Sequence, residues 1–403
     1  MFGLIGIAVF VGLAWALSDA RRAVCWRTVG TAFALQIGIG ALVFGVPQGR
    51  DALAWLSARV EDAIGAGKAG VDFLFGSLTA DGGPAGFVFA LRVLPMIVFF
   101  SSLIAVLYYL GIMQWVIRRI GGGLSRLLGT SAAESLSAAA NIFVGQTEAP
   151  LVVRPYISGM TSSELFAVMV GGLASVAGSV LAGYAAMGVE MKYLLAASFM
   201  AAPGGLLYAK LMKPEVAVPR EEVLPFASGD EAPENVLDAA ALGASTGLKL
   251  ALNVGAMLLA FIGLIALLNL ILGGIGGVFG HPGWNLQGIL GTLFAPVAWL
   301  AGIGPEEMRQ GGSLIGQKLV LNEFVAYVEL SQIQAAMSEK TRAICSVALC
   351  GFANFSSIAI LLGGLGGMAP GRRGEIARLG VRAVVAGTLS NLTSAAIVGL
   401  FVG

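Results

Sequence analysis

The sequence has few charged residues, few cysteines and a single histidine. Only 12% of its 403 residues are Asp, Glu, Lys or Arg, whereas a soluble domain carries about 25%. The three cysteines and His281 show no spacing typical of a disulfide framework, a metal cluster or a nucleophile–base pair. A net charge of +1 offers no basic surface to a polyanion. The sequence therefore argues against an enzyme and against a nucleic-acid partner, and it indicates no organic cofactor.

Apolar residues are abundant in their place. Hydrophobic side chains make up 57% of the chain, and many of the 58 glycines lie inside apolar runs, as expected where membrane helices pack closely. This composition predicts an all-α polytopic membrane protein in a lipid bilayer. Runs long enough to cross a bilayer predict about eight transmembrane helices, near residues 2–18, 29–46, 86–116, 164–188, 192–212, 245–273, 341–364 and 378–402.

The positions of basic residues predict how these helices are oriented. Residues 50–67 are amphipathic and predict an interfacial helix, and residues 214–240 predict a polar loop. If the apolar run 285–303 does not span, four basic groups fall on one side, which the positive-inside rule makes cytoplasmic. Both termini are then periplasmic. The groups are Arg21, Arg22 and Arg27; Arg118, Arg119 and Arg126; Lys210, Lys213 and Arg220; and Arg372, Arg373, Arg378 and Arg382.

A short polar interruption recurs in the two halves of the chain. Residues 145–150 read Gly-Gln-Thr-Glu-Ala-Pro, and residues 322–323 read Asn-Glu. A carboxylate at membrane depth costs about 2.5–3.5 kcal/mol, and the chain breaks that Gly and Pro favour expose backbone groups that lipid cannot satisfy. Each interruption is followed by Met-(Thr/Ser) and then by Gly-x-Ala-(Ser/Asn). The pattern predicts two re-entrant helical hairpins in inverted repeats, at residues 125–158 and 306–336.

The repeats predict a division of the chain into four segments. Two are scaffold segments. The first contains the N-terminal helices, the interfacial helix and the third span, and the second contains the polar loop, one helix and the non-spanning run. The other two are transport repeats, each containing one hairpin. The scaffold segments are residues 1–116 and 213–304, and the transport repeats are residues 117–212 and 305–403.

The motifs resemble those of the concentrative nucleoside transporter family, bacterial branch. Residues 316–327 read Gly-Gln-Lys-Leu-Val-Leu-Asn-Glu-Phe-Val-Ala-Tyr, which is similar to that family's signature. The stretch 145–150 resembles the family's first-hairpin motif, and residues 353–357, Ala-Asn-Phe-Ser-Ser, resemble its motif in the penultimate helix. The resemblance covers roughly residues 85–403.

This resemblance implies a homotrimer in the bacterial inner membrane. Its function would be secondary active symport by alternating access, in which inward sodium movement drives uptake of a nucleoside. The substrate would be a uridine-like nucleoside, with purine nucleosides as further candidates. The resemblance places Gln146, Thr147, Glu148 and Val180 at the base, Glu323, Asn354 and Ser357 at the ribose, and Phe352 beside the sugar or base. It places the coupling sodium ion at Asn141, Val144, Ser175 and Val176.

The chemistry of these residues agrees with a nucleoside and sodium, but alternatives remain. Gln offers a donor and an acceptor, and a carboxylate can accept from two hydroxyls, while sodium is a hard cation that takes oxygen ligands. Glu148 or Glu323 could instead carry a coupling proton, and a re-entrant-hairpin transporter could carry another small polar solute. Lys318 could pair with Glu323 and merely hold the second hairpin closed.

Overall fold

The structure is a computed structural model that describes residues 2–79, 88–219 and 233–402. Its regular secondary structure in these ranges is entirely helical, which confirms the prediction of an all-α protein. The start of the predicted span 86–116 lies partly outside the described residues, as do residues 220–232 of the predicted polar loop.

The N-terminal part forms six helices. Helix α2 continues through one π-helical turn, Ala41–Gly45, and α3 begins with a proline at its first position, where a missing N–H costs nothing. The predicted span 86–116 is interrupted after Tyr109, because Gly111 takes a left-handed conformation (φ 75°) and starts a new helix. The helices are α1 (Phe2–Ala16), α2 (Trp26–Gly40), α3 (Pro47–Phe75), α4 (Phe89–Arg92), α5 (Leu94–Tyr109) and α6 (Ile112–Leu128).

The rest of the chain forms the same series of helices twice, with a long helix and its neighbour between the two copies. Each copy has two hairpin helices, two short helices separated by an unwound segment, and one long helix. The first copy comprises α7 (Ala132–Ala140), α8 (Arg154–Ile157), α9 (Ser162–Ala174), α10 (Gly178–Ala186) and α11 (Met191–Met212). Between the copies lie α12 (Val236–Val278) and α13 (Leu286–Leu300), and the second copy comprises α14 (Met308–Val320), α15 (Glu323–Ile333), α16 (Glu339–Leu349), α17 (Ser356–Met368) and α18 (Arg373–Phe401).

Two predicted continuous spans are each divided in the structure. The predicted helix 164–188 is unwound at residues 175–177, and the predicted helix 341–364 is unwound at residues 350–355. The recurring Met-(Thr/Ser) pair marks where these broken helices begin. Thr161 Oγ1 accepts a hydrogen bond from Glu164 N at 3.1 Å, and Ser338 Oγ accepts one from Thr341 N at 3.3 Å. The repeated sequence feature is therefore a helix N-cap.

The helices divide into a buried core and a group exposed at the surface of the chain. Among the described residues, six helices are long and apolar enough to cross a bilayer. Of the apolar windows in these helices, those of Ser162–Ala186 and α11 are 94% buried, whereas that of α12 is only 17% buried. The first copy thus lies inside the protein, and α12 lies at its surface.

A pair of glycines joins α12 to α5. A Cβ at Gly243 would lie 2.6 Å from Ala105 Cβ, and a Cβ at Gly247 would lie 2.8 Å from Val98 Cα. This Gly-x-x-x-Gly spacing lets two membrane helices approach closely. The pair α5–α12 packs together, while α1 lies against α18 and α2 lies against α11.

The chain segments that carry the four predicted basic groups lie close together at one end of the molecule. Asp19, after α1, pairs with Lys213 at 3.1 Å and also with Arg382. Thr28 Oγ1 donates to Leu128 O at 2.8 Å, which brings the start of α2 to the end of α6. The start of α2, the ends of α6 and α11 and the start of α18, which carry or flank these basic residues, therefore share one face, and Arg220 lies outside the described residues.

The two hairpins approach α11 from opposite ends. Lys210, near the C-terminal end of α11, pairs with Glu134 of α7 at 2.7 Å. Gln334, which follows α15, donates to Gly188 O at 3.5 Å, just before α11 begins.

Candidate functional site

The unwound segments of the two copies meet at the centre of the molecule. Within the first copy, Gly178 N donates to Phe143 O at 2.8 Å, and the matching bond in the second copy runs from Phe355 N to Leu319 O at 3.2 Å. Between the copies, Phe352 N donates to Ser175 O at 3.0 Å. Backbone groups that leave the helices are thus satisfied by one another, as a buried chain break requires.

Glu323 lies at the start of α15 and receives two side-chain hydrogen bonds. Tyr184 OH donates to its Oε1 at 3.2 Å, and Asn354 Nδ2 donates to its Oε2 at 2.9 Å. Asn354 Oδ1 in turn accepts from Ser357 N at 2.9 Å. Glu323, Asn354 and Ser357 are all buried, so this network fixes a carboxylate in a desolvated position where its remaining lone pairs can accept from a hydroxylated ligand.

Gln146 joins the first hairpin to the same network. Its Nε2 donates to Ser357 Oγ at 3.2 Å, while its buried Oε1 has no hydrogen-bond partner among the described residues. A Cβ at Gly172 would lie 2.8 Å from Gln146 Cβ, so this glycine leaves the space that the glutamine occupies. An unpaired buried carbonyl oxygen is costly, and an N–H donor on a ligand would satisfy it.

The other predicted substrate residues surround this network, and among them only the Phe352 backbone bonds to it, since Phe352 O accepts from Asn354 N at 2.9 Å among the described residues. Thr147 is exposed and lies beside Gly364, and a Cβ at Gly145 would lie 3.6 Å from the Phe352 ring. Glu148 Oε2 accepts from Gly145 N at 3.4 Å, so its carboxylate folds back on the loop. Val180 is buried on α10, one helical turn before Tyr184, and therefore shares its face. Hydrogen bonds thus unite Gln146, Glu323, Asn354 and Ser357, whereas Glu148 and Val180 share none with these four.

The four predicted sodium ligands lie where the first hairpin packs against the end of α9. A Cβ at Gly171 would lie 3.1 Å from Asn141 Nδ2, and Ser175 Oγ donates to Gly171 O at 2.9 Å. Asn141 Nδ2 donates to Ser137 O at 2.9 Å, which turns its Oδ1 away.

Several oxygens of this group have no donor. Among the described residues, Asn141 Oδ1 has no hydrogen-bond partner, and no backbone N–H donates to the carbonyls of Val144 or Val176. Val144 and Val176 are buried. Because a hard monovalent cation takes neutral oxygen ligands, the residues present fit sodium.

Three contributors to the site were not identified from the sequence. Tyr184 is an aromatic residue within an apolar helix, and no local feature marks it as a partner of Glu323. Asn391 could have been found from the sequence, because a polar cluster within an apolar helix marks a buried functional position. The cluster in α18 consists of Ser390, Asn391, Thr393 and Ser394. Lys318 was considered as an ion-pair partner of Glu323 or as a substrate contact, and in the structure its Nζ donates to Ala348 O at 2.8 Å and to Asn391 Oδ1 at 2.6 Å.

Three family models match the chain. They are described as the Na⁺-dependent nucleoside transporter N-terminus over residues 5–78, nucleoside recognition over residues 90–191, and the Na⁺-dependent nucleoside transporter C-terminus over residues 193–399. Together they cover the hairpins, the broken helices and the α5–α12 pair.

Full-length relatives and a solved structure agree with these matches. An uncharacterized transporter of Haemophilus influenzae is 57% identical over 99% of this chain and 97% of its own length. Nucleoside permease NupC of Helicobacter pylori is 51% identical over 100% of this chain and 98% of its own length. The transporter CNTnw in an inward-facing substrate-bound state superimposes with a TM-score of 0.96 at 59% identity, over 99% of this chain and 97% of that one. The chain therefore belongs to the family of Na⁺-dependent nucleoside transporters, as its hairpin motifs predicted.

Proposed function

We propose that this protein is a secondary active symporter that couples inward sodium movement to nucleoside uptake by alternating access. One observation carries the proposal. Side chains of both hairpins, Gln146 from the first and Glu323 from the second, hydrogen-bond to the same short segment that contains Asn354 and Ser357. A solute bound there contacts both copies at once, so its release requires the two copies to move relative to their surroundings.

The polar groups at this point match the two ends of a nucleoside. The unpaired Oε1 of Gln146 accepts an N–H from the base, and the exposed Thr147 hydroxyl lies on the same loop. At the other end, the Glu323 carboxylate accepts from the ribose hydroxyls and Asn354 orients it. Phe352 supplies an aromatic face between them. The ligand is therefore a free nucleoside of the uridine type, and a purine base meets the same donor and acceptor.

Sodium as the coupling ion is supported by the oxygens of the first hairpin. Asn141 Oδ1 and the Val144 and Val176 carbonyls have no donor, and Ser175 adds a hydroxyl. A protonated carboxylate would not need this group of neutral oxygens, so their presence favours sodium over a proton.

In its membrane setting, the protein is a multi-pass homotrimer in the bacterial inner membrane with both termini periplasmic. The shared face of the helix ends that carry the basic residues supports this orientation. The approach of the two hairpins from opposite ends of α11 supports re-entrant segments in inverted repeats within an eight-span protein. Residues 1–116 and 213–304, which include the α5–α12 pair, form the static scaffold, and residues 117–212 and 305–403 form the transport part.

Uridine binding at varied sodium concentration tests the coupling site. In calorimetry of purified protein, Ser175→Ala should require more sodium for half-maximal uridine affinity, while affinity at saturating sodium changes little. Ser57→Ala is the matched control, because Ser57 is a buried serine of α3 outside the site. Uridine affinity that ignores sodium in the wild-type protein would contradict the proposed function.

A further inference from the structure

Tyr184 brings the first copy into contact with the sugar end of the site. It lies on α10, is fully buried, and its hydroxyl donates to Glu323 Oε1 at 3.2 Å. Glu323 belongs to the second hairpin, so this hydrogen bond crosses from one copy to the other. A phenylalanine would fill the same space without removing a hydroxyl from water, so packing alone does not account for the tyrosine.

The Tyr184 ring is held in place by two aromatic rings of the second hairpin. Its centroid lies 4.1 Å from that of Tyr327, with an interplanar angle of 30°, and 5.0 Å from that of Phe324, with an angle of 64°. Tyr327 is fixed in turn, because its hydroxyl donates to Ser346 O at 2.7 Å. Stacked and edge-to-face contacts are favourable, and a ring packed on two sides presents its hydroxyl at one point. The donor therefore reaches Glu323 from a fixed position.

Two side-chain donors hold the Glu323 carboxylate by different oxygens. Tyr184 OH bonds to Oε1, and Asn354 Nδ2 bonds to Oε2 at 2.9 Å. Donors on both oxygens fix the rotation of the carboxylate plane, whereas a single donor would leave it free to pivot. The Glu323 backbone N–H also faces the carboxylate, which has about four lone-pair sites. Acceptor capacity thus remains for a ribose hydroxyl, and the two side-chain donors set its direction.

A competing attraction gives this restraint a purpose. The Lys318 ammonium interacts electrostatically with Glu323, although its hydrogen bonds go to Ala348 O at 2.8 Å and Asn391 Oδ1 at 2.6 Å. Opposite charges attract one another more strongly in a buried region than in water. A carboxylate released from Tyr184 is free to turn toward the ammonium, and an acceptor that faces the lysine no longer faces the ligand.

We propose that Tyr184 is a positioning residue of the sugar site, whose hydroxyl aims the Glu323 carboxylate at the ribose, so that the preference for ribose over deoxyribose depends on both copies. This inference rests on the proposed nucleoside transport and adds a residue of the first copy to recognition of the sugar. Val180, the α10 residue expected at the base, lies one helical turn earlier on the same face, about 6 Å along the axis. One face of α10 then serves both ends of the nucleoside.

Removing the hydroxyl alone tests this role. Tyr184→Phe keeps the stacked ring and removes the donor. In competition binding to purified protein at saturating sodium, the ratio of uridine affinity to 2′- or 3′-deoxyuridine affinity should fall at least about twofold for one or both analogues, the lower end of measured couplings between neighbouring groups. Tyr208→Phe is the matched control, because Tyr208 is a fully buried tyrosine of α11 that bonds to Thr393 Oγ1 at 2.5 Å, outside the site. The control should leave both ratios at their wild-type values.

A double variant shows whether Tyr184 acts through Glu323. Because both substitutions disturb the same acceptor, the combined fall in the ratio in the double variant Tyr184→Phe and Glu323→Gln should be smaller than the product of the falls in the single variants. Falls that multiply would overturn the inference. Equal weakening of all nucleosides by Tyr184→Phe, with both ratios unchanged, would also overturn it and leave Tyr184 as a packing residue.

Infrared difference spectroscopy of the wild-type protein gives a test that depends on no variant. With the tyrosines isotopically labelled at the hydroxyl-bearing carbon, uridine binding should shift a tyrosine C–O stretching band, because the Tyr184 bond to Glu323 changes when the carboxylate also accepts from the ribose. Saturating 2′,3′-dideoxyuridine should not produce this shift. No shift with uridine, or an equal shift with both ligands, would overturn the inference. Wild-type protein that binds no uridine would refute the proposed function itself, which is a different outcome.

Discussion

The substitution Glu323→Gln separates recognition of the ribose from the folding of the second hairpin. Glu323 Oε1 accepts from Tyr184 OH, and Oε2 accepts from Asn354 Nδ2. A glutamine can keep both contacts, since its oxygen can face Asn354 and its amide nitrogen can donate to the tyrosine hydroxyl, which rotates to accept. We therefore expect the variant to fold and assemble, and to lose only the charged acceptor that the ribose hydroxyls use.

The magnitude follows from the kind of hydrogen bond that is lost. Hydrogen bonds to charged groups contribute about 1.5–3 kcal/mol and neutral ones about 1 kcal/mol less, so uridine should bind Glu323→Gln roughly 5-fold more weakly. In the wild type, an analogue lacking one ribose hydroxyl should bind about 5- to 100-fold more weakly than uridine, because the buried carboxylate is left without its partner. In the variant this ratio should fall by about 5-fold, since a neutral acceptor contributes about 1 kcal/mol less.

Competition binding of uridine and 2′- or 3′-deoxyuridine to purified protein measures both quantities. Glu329→Gln is the control, because Glu329 lies on the same helix, accepts from Ser313 at 3.3 Å and is not part of the Glu323 network. Equal weakening of all nucleosides, with the uridine-to-deoxyuridine ratio at its wild-type value, would show that Glu323 only stabilises the hairpin and would refute the account of the sugar site.

Three further predictions concern packing, surface charge and movement. Gly172→Ala should lower nucleoside affinity at least tenfold (about 1.4 kcal/mol) with little loss of assembly, because the added methyl group would lie 2.8 Å from Gln146 Cβ; unchanged affinity would contradict this. Burial raises the pKa of Asp19, but hydrogen bonds from Arg382 and Lys213 outweigh this effect and hold the pKa below its usual value. Asp19→Asn should therefore lower the thermal midpoint of unfolding at neutral pH. The difference from wild type should shrink as the pH falls below about 4, where the carboxylate of the wild type becomes protonated. A Cβ at Gly183 of α10 would lie 3.2 Å from Cγ1 of Val93, just before α5. A disulfide in the double variant Val93→Cys and Gly183→Cys should therefore stop transport until a reductant is added. Full transport by the cross-linked protein would refute a moving core beside a static α5–α12 pair.

The repeated architecture was predictable because its signals are local. A polar interruption, an N-cap and a Gly-x-Ala-(Ser/Asn) pattern recur in the same order, and each of these features depends on neighbouring residues. Gln146, Glu323, Asn354 and Ser357, which the sequence identified, are the four that hydrogen bonds unite.

The unwinding of the two broken helices was not predictable in the same way. Residues 164–188 and 341–364 are continuously apolar enough to predict unbroken helices, and their interruptions are stabilised by partners far away in sequence. Gly178 N is satisfied by Phe143 O, and Ala174 O is satisfied by Asn391. The hydrogen-bond partners of Lys318 were not predictable for the same reason. Glu323 is near in sequence, but the last turn of α16 and the Asn391 side chain are nearer in space.

Uridine accumulation in proteoliposomes tests the central claim most directly. Purified protein is reconstituted with equal uridine inside and outside, and an inward sodium gradient is imposed with potassium as the matched control cation. The account predicts that uridine accumulates inside above its external concentration only with the sodium gradient, and that collapsing the gradient with a sodium ionophore releases it. Accumulation driven by a proton gradient in the absence of sodium, or mere equilibration under a sodium gradient, would contradict the account.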